Sequence, residues 1–169
     1  MKVLFLDHDG VICLQPEQGG RFDREREGLD SVFDDFNAGA VKVLNEIIEA
    51  TNCEIVVSSD WRHHCTLEQL QELYRVRGII KQPIGVTEYI PCSAAHLEAV
   101  RIDEIEKWIA ANPGITSWCA VDDMDLSNST SLFNDEPIGL VCFVRTPSSK
   151  EGLKQTGKKE KIIKFLNIK

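Results

Sequence analysis

The chain has 169 residues, a net charge of −8 and 27% charged residues, a balance typical of a globular domain in water. Hydrophobic residues make up 43% of it, enough for one domain with a sizeable core. No apolar run is long enough to cross a bilayer, and acids at positions 7 and 9 interrupt the apolar core that a secretion signal needs. We therefore expect a cytoplasmic or otherwise intracellular protein with no membrane contact.

The six cysteines are spread singly, without a C-x-x-C or C-x-C pair. This spacing argues against a disulfide framework and against a structural zinc site. Cys119 and Cys142 lie in apolar segments and are predicted to be core residues. Cys92 with His96, and the run at 63–65 (HHC), have spacings that could fit a metal, but no further ligands are evident.

The first predicted strand, residues 3–6 (VLFL), runs directly into Asp7, His8, Asp9 and Gly10. Four consecutive apolar residues are typical of a buried strand, and open α/β sheets have their active sites beyond the carboxyl ends of strands. Asp7 and Asp9 point to the same side of an extended segment, where one acid can be a nucleophile and the other a proton donor and acceptor. We expect His8 to pack or hydrogen-bond beneath this site.

Residues 11–39 are irregular and predict a flap or lid-like insertion. The segment is too short to form an independent cap domain, so the pocket should be open. A surface loop without a function is the alternative.

Strands and amphipathic helices alternate along the rest of the chain. Thr66 and Gln69 predict a capping box at the start of the second helix, and the sequence Asn-Pro-Gly at 112–114 predicts the end of the third. The apolar stripes of the three helices are Val41, Leu44, Ile47 and Ile48; Leu67, Leu70, Leu73 and Tyr74; and Ile102, Ile105, Trp108 and Ile109. The further predicted strands lie at 54–57, 84–86, 117–121 and 140–144.

This alternation predicts an α/β fold, with residues 1–169 forming a single Rossmann-like domain without a large cap domain. Its sheet should have five mainly parallel strands and helices on both faces. Two strands besides the first end in polar groups: Ser58 and Ser59 follow one, and Asp122 and Asp123 follow the other. Such groups can hold a phosphate and a cation.

The order of these motifs resembles that of the haloacid dehalogenase-like (HAD) superfamily of aspartyl-phosphate phosphatases. The resemblance covers nearly the whole chain: D-x-D-G, a strand ending in serine, a basic residue on a later helix, and a strand ending in paired acids. Within the superfamily, the stretch 56–62 (VVSSDWR), the pattern R-x-x-E-I-x-x-W at 101–108 and the Gly152–Leu153 pair are similar to small HAD domains of multifunctional RNA-repair proteins.

The resemblance implies a Mg²⁺-dependent phosphohydrolase that cleaves a phosphomonoester through an aspartyl-phosphate intermediate. Asp7 would attack phosphorus, and Asp9 would protonate the leaving oxygen and later activate water. The magnesium ligands would be Asp7, the main-chain carbonyl of Asp9 and Asp122, with Asp123 acting directly or through water. An all-oxygen site suits this ion.

The resemblance also implies that the phosphate contacts Ser58, Ser59 and a cation, for which Arg101 is preferred over Lys81 and Lys107. Lysine is more usual in this role. Arg62 and Asp125 could each be surface or helix-capping residues or substrate contacts.

The substrate could be a phosphorylated small molecule, a nucleotide or a nucleic-acid end. Residues 150–169 carry a net charge of +5 and predict a basic C-terminal helix. Its lysines could attract nucleic acid, but we favour a solvated face with Ile162, Ile163, Phe165 and Leu166 packed inward, because the rest of the chain is acidic and few aromatic residues are positioned to stack on bases. The alternatives to a general phosphatase are a non-catalytic phosphate-binding or regulatory domain and a nucleic-acid end-processing phosphatase.

Overall fold

The computed structural model describes residues 1–15, 35–93, 96–131 and 136–168. Seven strands occur in this part of the chain: β1 (Lys2–Leu6), β2 (Glu54–Val57), β3 (Gly85–Val86), β4 (Ser117–Asp122), β5 (Ser129–Thr130), β6 (Pro137–Ile138) and β7 (Phe143–Arg145). Five of them form a parallel sheet in the order β3-β2-β1-β4-β7, and β5 pairs with β6 in a separate antiparallel ribbon. The predicted five-stranded parallel sheet is therefore confirmed, with β1 at its centre.

Four helices accompany the strands: α1 (Ala38–Thr51), α2 (Leu67–Val76), α3 (Leu97–Ala111) and α4 (Lys158–Leu166). The side chain of Asn37 caps α1 by accepting the Ala40 amide over 3.1 Å. The predicted capping box of Thr66 and Gln69 opens α2, and α3 ends just before the Asn-Pro-Gly sequence, as predicted. Local sequence thus sets the starts of α1 and α2 and the end of α3.

Alternate residues of β1 belong to two hydrophobic cores, one on each face of the sheet. Leu4 and Leu6 pack in the core that includes residues of α1, α2 and α4, whereas Phe5 packs in the core that includes Ile102 and Ile105 of α3. Each of these side chains is buried and contributes about 2 kcal/mol to folding. The helices therefore cover both faces, as predicted.

The last strand of the sheet differs from the prediction. It begins at Phe143, and residues 140–142 lie outside it, with Val141 82% exposed. The Leu140 amide donates to the Leu126 carbonyl over 2.8 Å, whereas the Cys142 carbonyl accepts the Ala120 amide of β4 over 2.9 Å, so the run joins the sheet only at its end. Cys142 is consequently half-buried outside a strand, and its predicted place in a core strand is wrong.

Most of the predicted flap at 11–39 lies outside the described residues. Val11 and Leu14, at its start, are fully buried, so this part belongs to the core. Gly152 packs against them with a φ of 50°. A Cβ at this position would overlap the Val11 carbonyl, so only glycine fits so closely.

Helix α4 packs inward through Ile162 and Leu166, both fully buried, as the sequence predicts. No helix in the described residues has the length and apolar character needed to span a membrane.

Candidate active site

Asp7 and Asp122 lie at the carboxyl ends of two adjacent central strands. Asp7 follows β1, Asp122 ends β4, and the Asp7 amide donates to the Val121 carbonyl over 3.0 Å. Asp123 follows, and one carboxylate oxygen from each of the three acids lies within 4.8 Å of the others. Across the described ranges, this is the only group of three or more side chains that could ligate a metal. We call Asp7, Asp122 and Asp123 the acid cluster.

The turn after β1 brings the D-x-D-G motif against the acid cluster. Gly10 has a φ of 70°, and a Cβ there would lie 2.6 Å from Oδ2 of Asp123, so this position requires glycine. Thr146, directly after β7, donates its hydroxyl to the Gly10 carbonyl over 3.1 Å. Its amide donates to the Asp122 carbonyl over 2.9 Å. Backbone contacts thus join three strand ends.

Burial and mutual repulsion raise the pKa values of the acid cluster. Burial raises the pKa of Asp7 to about 6, although the Arg101 charge lowers it. Burial and the charge of Asp7 hold the pKa of Asp122 well above its usual range. Burial, with the charge of Asp9, raises the pKa of Asp123. Such a cluster favours a cation that neutralises it.

Arg101, on the first half of α3, supplies positive charge to the cluster. Its Nη1 lies 3.5 Å from Oδ1 of Asp7 and 3.1 Å from Oδ2 of Asp122, and it donates to the Ser58 carbonyl. Its Nη2 donates to Asp60 over 3.1 Å. Burial lowers the pKa of this guanidinium, but the charges of Asp7 and Asp122 outweigh burial and raise the pKa above its ordinary value. Arg101 is therefore permanently charged. It is also buried, with 6% of its surface exposed.

The two alternative cations pair with acids outside the acid cluster. Lys81 pairs over 2.7 Å with Glu54, the first residue of β2, at the opposite edge of the sheet. Lys107 pairs over 3.0 Å with exposed Glu88. The geometry therefore favours Arg101.

Asp9 is held by a tryptophan. Trp61 lies on the short 3-10 helix Asp60–His63 that follows β2, and its Nε1 donates to Oδ2 of Asp9 over 2.9 Å. Trp61 is only 1% exposed and stacks on Phe36 with ring centroids 5.4 Å apart. The indole thus fixes one carboxylate oxygen and sets the direction of the other.

The two serines after β2 differ in their contacts. A side-chain hydrogen bond from Ser59 lowers the pKa of Asp7. The Ser58 hydroxyl is buried and has no hydrogen-bond partner among the described groups. A buried hydroxyl of this kind is costly unless a ligand satisfies it, which fits a phosphate contact.

Glu104, one turn after Arg101, connects the segments around the site. It is fully buried, and its two carboxylate oxygens accept from Nη2 of Arg62 at 2.8 and 2.7 Å. It also accepts the Ile90 amide over 3.0 Å and lies 3.9 Å from Nε of Arg101. Arg62 is thereby held in an internal ion pair with its side chain 5% exposed, so it is not a surface residue.

His8 packs beneath the site, as predicted. Its Nε2 lies 2.8 Å from the Tyr74 hydroxyl, and its ring contacts Trp61 edge to face at 4.8 Å. Burial and the nearby Arg101 charge lower the pKa of His8 to about 3. The imidazole is therefore neutral near pH 7.

A family profile described as "HAD domain in Swiss Army Knife RNA repair proteins" matches residues 3–161. The chain belongs to this HAD family. No curated protein and no solved structure is significantly similar to the chain. The match spans every residue of the acid cluster and its surroundings. It supports HAD-type phosphohydrolase chemistry in general, and the residues of the chain fit the Mg²⁺ that HAD proteins generally use, because the cluster offers oxygen ligands only.

The sequence suggested two other metal sites in this HAD domain, Cys92 with His96 and the run 63–65. Neither is assembled in the described residues. His96 pairs through Nδ1 with the Ser93 hydroxyl at 2.9 Å, and Cys65 donates its thiol to the Trp61 carbonyl over 3.0 Å. Asp125 is exposed and pairs with Arg145 over 3.1 Å, which fits the surface role that the sequence left open.

Two residues near the site received no role from the sequence alone. Trp61 and Glu104 both lie in stretches that resemble RNA-repair HAD domains, and this was the only signal for them. Their partners, Asp9 and Arg62, lie 52 and 42 positions away in the chain, so spacing alone could not reveal these contacts.

Proposed function

We propose that this HAD domain is a Mg²⁺-dependent phosphohydrolase that cleaves a phosphomonoester through an aspartyl phosphate on Asp7. The observation that carries the proposal is the meeting of the acid cluster with buried Arg101 at the carboxyl ends of β1 and β4. Three acids and one fixed cation provide both a nucleophile and the charges needed to hold a phosphate dianion.

Asp7, Asp122 and the main-chain carbonyl of Asp9 would hold Mg²⁺, with Asp123 contributing directly or through water. When bound, the ion offsets the repulsion between a carboxylate nucleophile and the phosphate. Binding of Mg²⁺ also gives a reason for three acids with raised pKa values to lie together. Their repulsion is relieved by a cation.

Asp7 attacks phosphorus, and the bond to the leaving oxygen breaks as Asp9 gives that oxygen a proton. Asp9 then takes a proton from water, whose oxygen attacks the phosphorus of the aspartyl phosphate and regenerates Asp7. Trp61 supports this exchange by holding Oδ2 of Asp9. A general acid must be aligned with the atom it protonates, and the indole supplies that alignment.

Arg101 and Ser58 would bind the phosphoryl oxygens. The guanidinium supplies a fixed positive charge beside the acid cluster that attracts a phosphoryl oxygen, and the unsatisfied Ser58 hydroxyl can donate to another. Ser59 supports the site by its hydrogen bond to Asp7.

The description of the matched family supports a nucleic-acid end or nucleotide as the substrate, since its members occur in RNA-repair proteins. The six free cysteines support an intracellular setting, where thiols stay reduced.

Phosphate release with Mg²⁺, from glycerol phosphate and from oligonucleotides with terminal phosphates, tests the proposal. We expect Asp7→Asn to abolish release while the protein stays folded, and Asp125→Asn, a matched change at an exposed acid, to keep it. Wild-type release by folded Asp7→Asn would reject Asp7 as the nucleophile. If the wild-type protein binds inorganic phosphate but hydrolyses none of these phosphomonoesters, the domain is regulatory instead.

A further inference from the structure

An aromatic pair lies at the same edge of the sheet as the acid cluster. His63 ends the 3-10 helix after β2, and Tyr89 lies in the segment after β3. Their rings meet edge to face, with centroids 4.4 Å apart. Tyr89 is 54% exposed, so much of it remains open to solvent. Exposed aromatic rings beside a phosphate site are suited to stacking on a ligand.

Three consecutive contacts lead from the nucleophile to this pair. Asp7 lies 3.5 Å from Nη1 of Arg101, whose Nη2 donates to Asp60 over 3.1 Å. Oδ1 of Asp60 in turn lies 4.0 Å from Nε2 of His63. The pair is therefore a near neighbour of the group proposed to bind phosphate.

The segment that carries Tyr89 is anchored on both sides. The Thr87 amide donates to the Val57 carbonyl over 2.9 Å, and the Ile90 amide donates to Glu104 over 3.0 Å. Glu104 also binds Arg62, the neighbour of His63 in the chain. Both rings are thus tied to the network that surrounds Arg101, and such preorganisation lowers the entropic cost of binding.

Charge favours a short ligand over a long polyanion at this edge. The chain has a net charge of −8, which repels an extended phosphate backbone. Partial burial and the charge of Arg62 lower the pKa of His63, so its ring is neutral near pH 7. The exposed Asp60 carboxylate lies 4.0 Å from Nε2 of His63, and exposed Glu88, next to Tyr89, pairs with Lys107 over 3.0 Å. Carboxylates beside the two rings repel additional phosphates, so the pair suits a ligand with one phosphate and one planar group.

We propose that His63 and Tyr89 form a stacking site for the base of a nucleoside phosphomonoester whose phosphate lies at Arg101. This inference rests on the proposed function and names its substrate class. Bases stack on aromatic side chains with little sequence preference. The fold brings together aromatic rings from two separate segments, which the sequence alone did not reveal. The nucleoside phosphate could be a free nucleotide or the end of a nucleic acid.

Calorimetric titrations with Mg²⁺ present test the site, in an Asp7→Asn background that prevents turnover. The ratio of the Kd values of ribose 5-phosphate and AMP measures the contribution of the base. We expect this ratio to be roughly ten and to fall close to one in Tyr89→Ala. Tyr89→Phe, which keeps the ring, should retain the ratio, as should Val141→Ala, a change at an exposed apolar residue before β7.

A second arm distinguishes the two sources of the ligand. The same Kd ratio is measured with two trinucleotides that carry a terminal phosphate. One is intact, and the other lacks the base of the nucleotide that bears the phosphate. A base effect that Tyr89→Ala removes upholds the site in either arm, and the arm in which it is larger identifies the source. No base effect in both arms, or one that survives Tyr89→Ala, overturns the site.

Phosphate release from glycerol phosphate separates this inference from the function on which it rests. Turnover of this base-free substrate without any base effect overturns the stacking site alone. A base effect that depends on Tyr89, without turnover of any substrate, upholds the stacking site and overturns the proposed hydrolysis.

Discussion

The indole of Trp61 donates its Nε1 proton to Oδ2 of Asp9 over 2.9 Å. This contact joins the D-x-D-G motif after β1 to the 3-10 helix after β2. It places a rigid, buried donor on the carboxyl group that we propose as the general acid. The orientation of Asp9 is therefore set by a residue outside its own motif.

Trp61→Phe keeps the aromatic packing against Phe36 and His8 but removes the donor. We expect kcat to fall roughly ten- to a hundredfold, since a hydrogen bond to a charged group is worth about 1.5–3 kcal/mol. The loss should be larger for an alkyl phosphate than for a nitrophenyl phosphate, whose leaving group needs little protonation. Equal losses for both substrates would show that Trp61 does not act through Asp9, and Trp118→Phe is the matched control.

Glu104→Gln keeps the shape of the buried side chain but removes the charge shared with Arg62 and Arg101. We expect unfolding free energy to fall by about 3 kcal/mol, because breaking a buried ion pair leaves its partners uncompensated. KM should also rise as the Arg101 guanidinium loses its support. Glu106→Gln, at an exposed position of the same helix, should change stability by less than about 0.5 kcal/mol. Chemical denaturation of both variants measures these changes. Similar denaturation midpoints for Glu104→Gln and Glu106→Gln would contradict this role for Glu104.

His8 makes the fold sensitive to acid. Its pKa is about 3 in the folded protein against 6.5 in its ordinary state, so the unfolded chain binds more protons between these values and stability falls as pH falls. Lowering the pH from 7 to 5 should reduce the free energy of unfolding by about 2 kcal/mol through His8. Asp7 acts in the opposite sense, since its pKa is raised to about 6 and its folded form gains a proton as pH falls.

Comparison with His8→Gln isolates the histidine contribution, because both proteins keep Asp7. Glutamine can still hydrogen-bond to the Tyr74 hydroxyl, so the variant should fold. Denaturation at pH 7 and pH 5 should show a smaller loss in His8→Gln than in wild type. Equal losses would mean that His8 does not stay neutral in the fold.

Mg²⁺ should stabilise the folded protein, because it relieves repulsion within the acid cluster and does not bind the unfolded chain. At a hundredfold excess over Kd the gain is about 2.7 kcal/mol, or roughly 5–10 °C in Tm for a chain of this size. Asp122→Ala should remove most of the gain, and Asp125→Ala should keep it. A Tm response that is unchanged in Asp122→Ala would locate the ion elsewhere.

Much of the fold could be predicted because short apolar runs alternate with amphipathic helices. The same pattern located Asp7, Asp122 and Asp123, since the carboxyl ends of parallel strands meet at one edge. The start of the last strand could not be predicted. An apolar run such as 140–144 does not reveal that the Leu140 amide bonds the Leu126 carbonyl and that pairing with β4 begins only at Cys142.

The contacts around the site could not be predicted for a similar reason. Glu104 is one of three acids within four residues of a helix, beside Asp103 and Glu106, and only the fold buries it between Arg62 and Arg101. Tyr89 and His63 come from separate segments and meet only in three dimensions. Motifs reveal residues that act within one strand end, whereas long-range partners require the tertiary structure.

The most direct test of the account is to trap the phosphorylated enzyme. Hydroxylamine converts an acyl phosphate into a stable hydroxamate, which peptide mass spectrometry can locate. With a substrate that wild type hydrolyses, the account predicts hydroxamate at Asp7 when substrate and Mg²⁺ are both present, and none when either is omitted. Hydroxamate at another acid, or continued phosphate release in Asp7→Asn with no hydroxamate at this position in wild type, would contradict it.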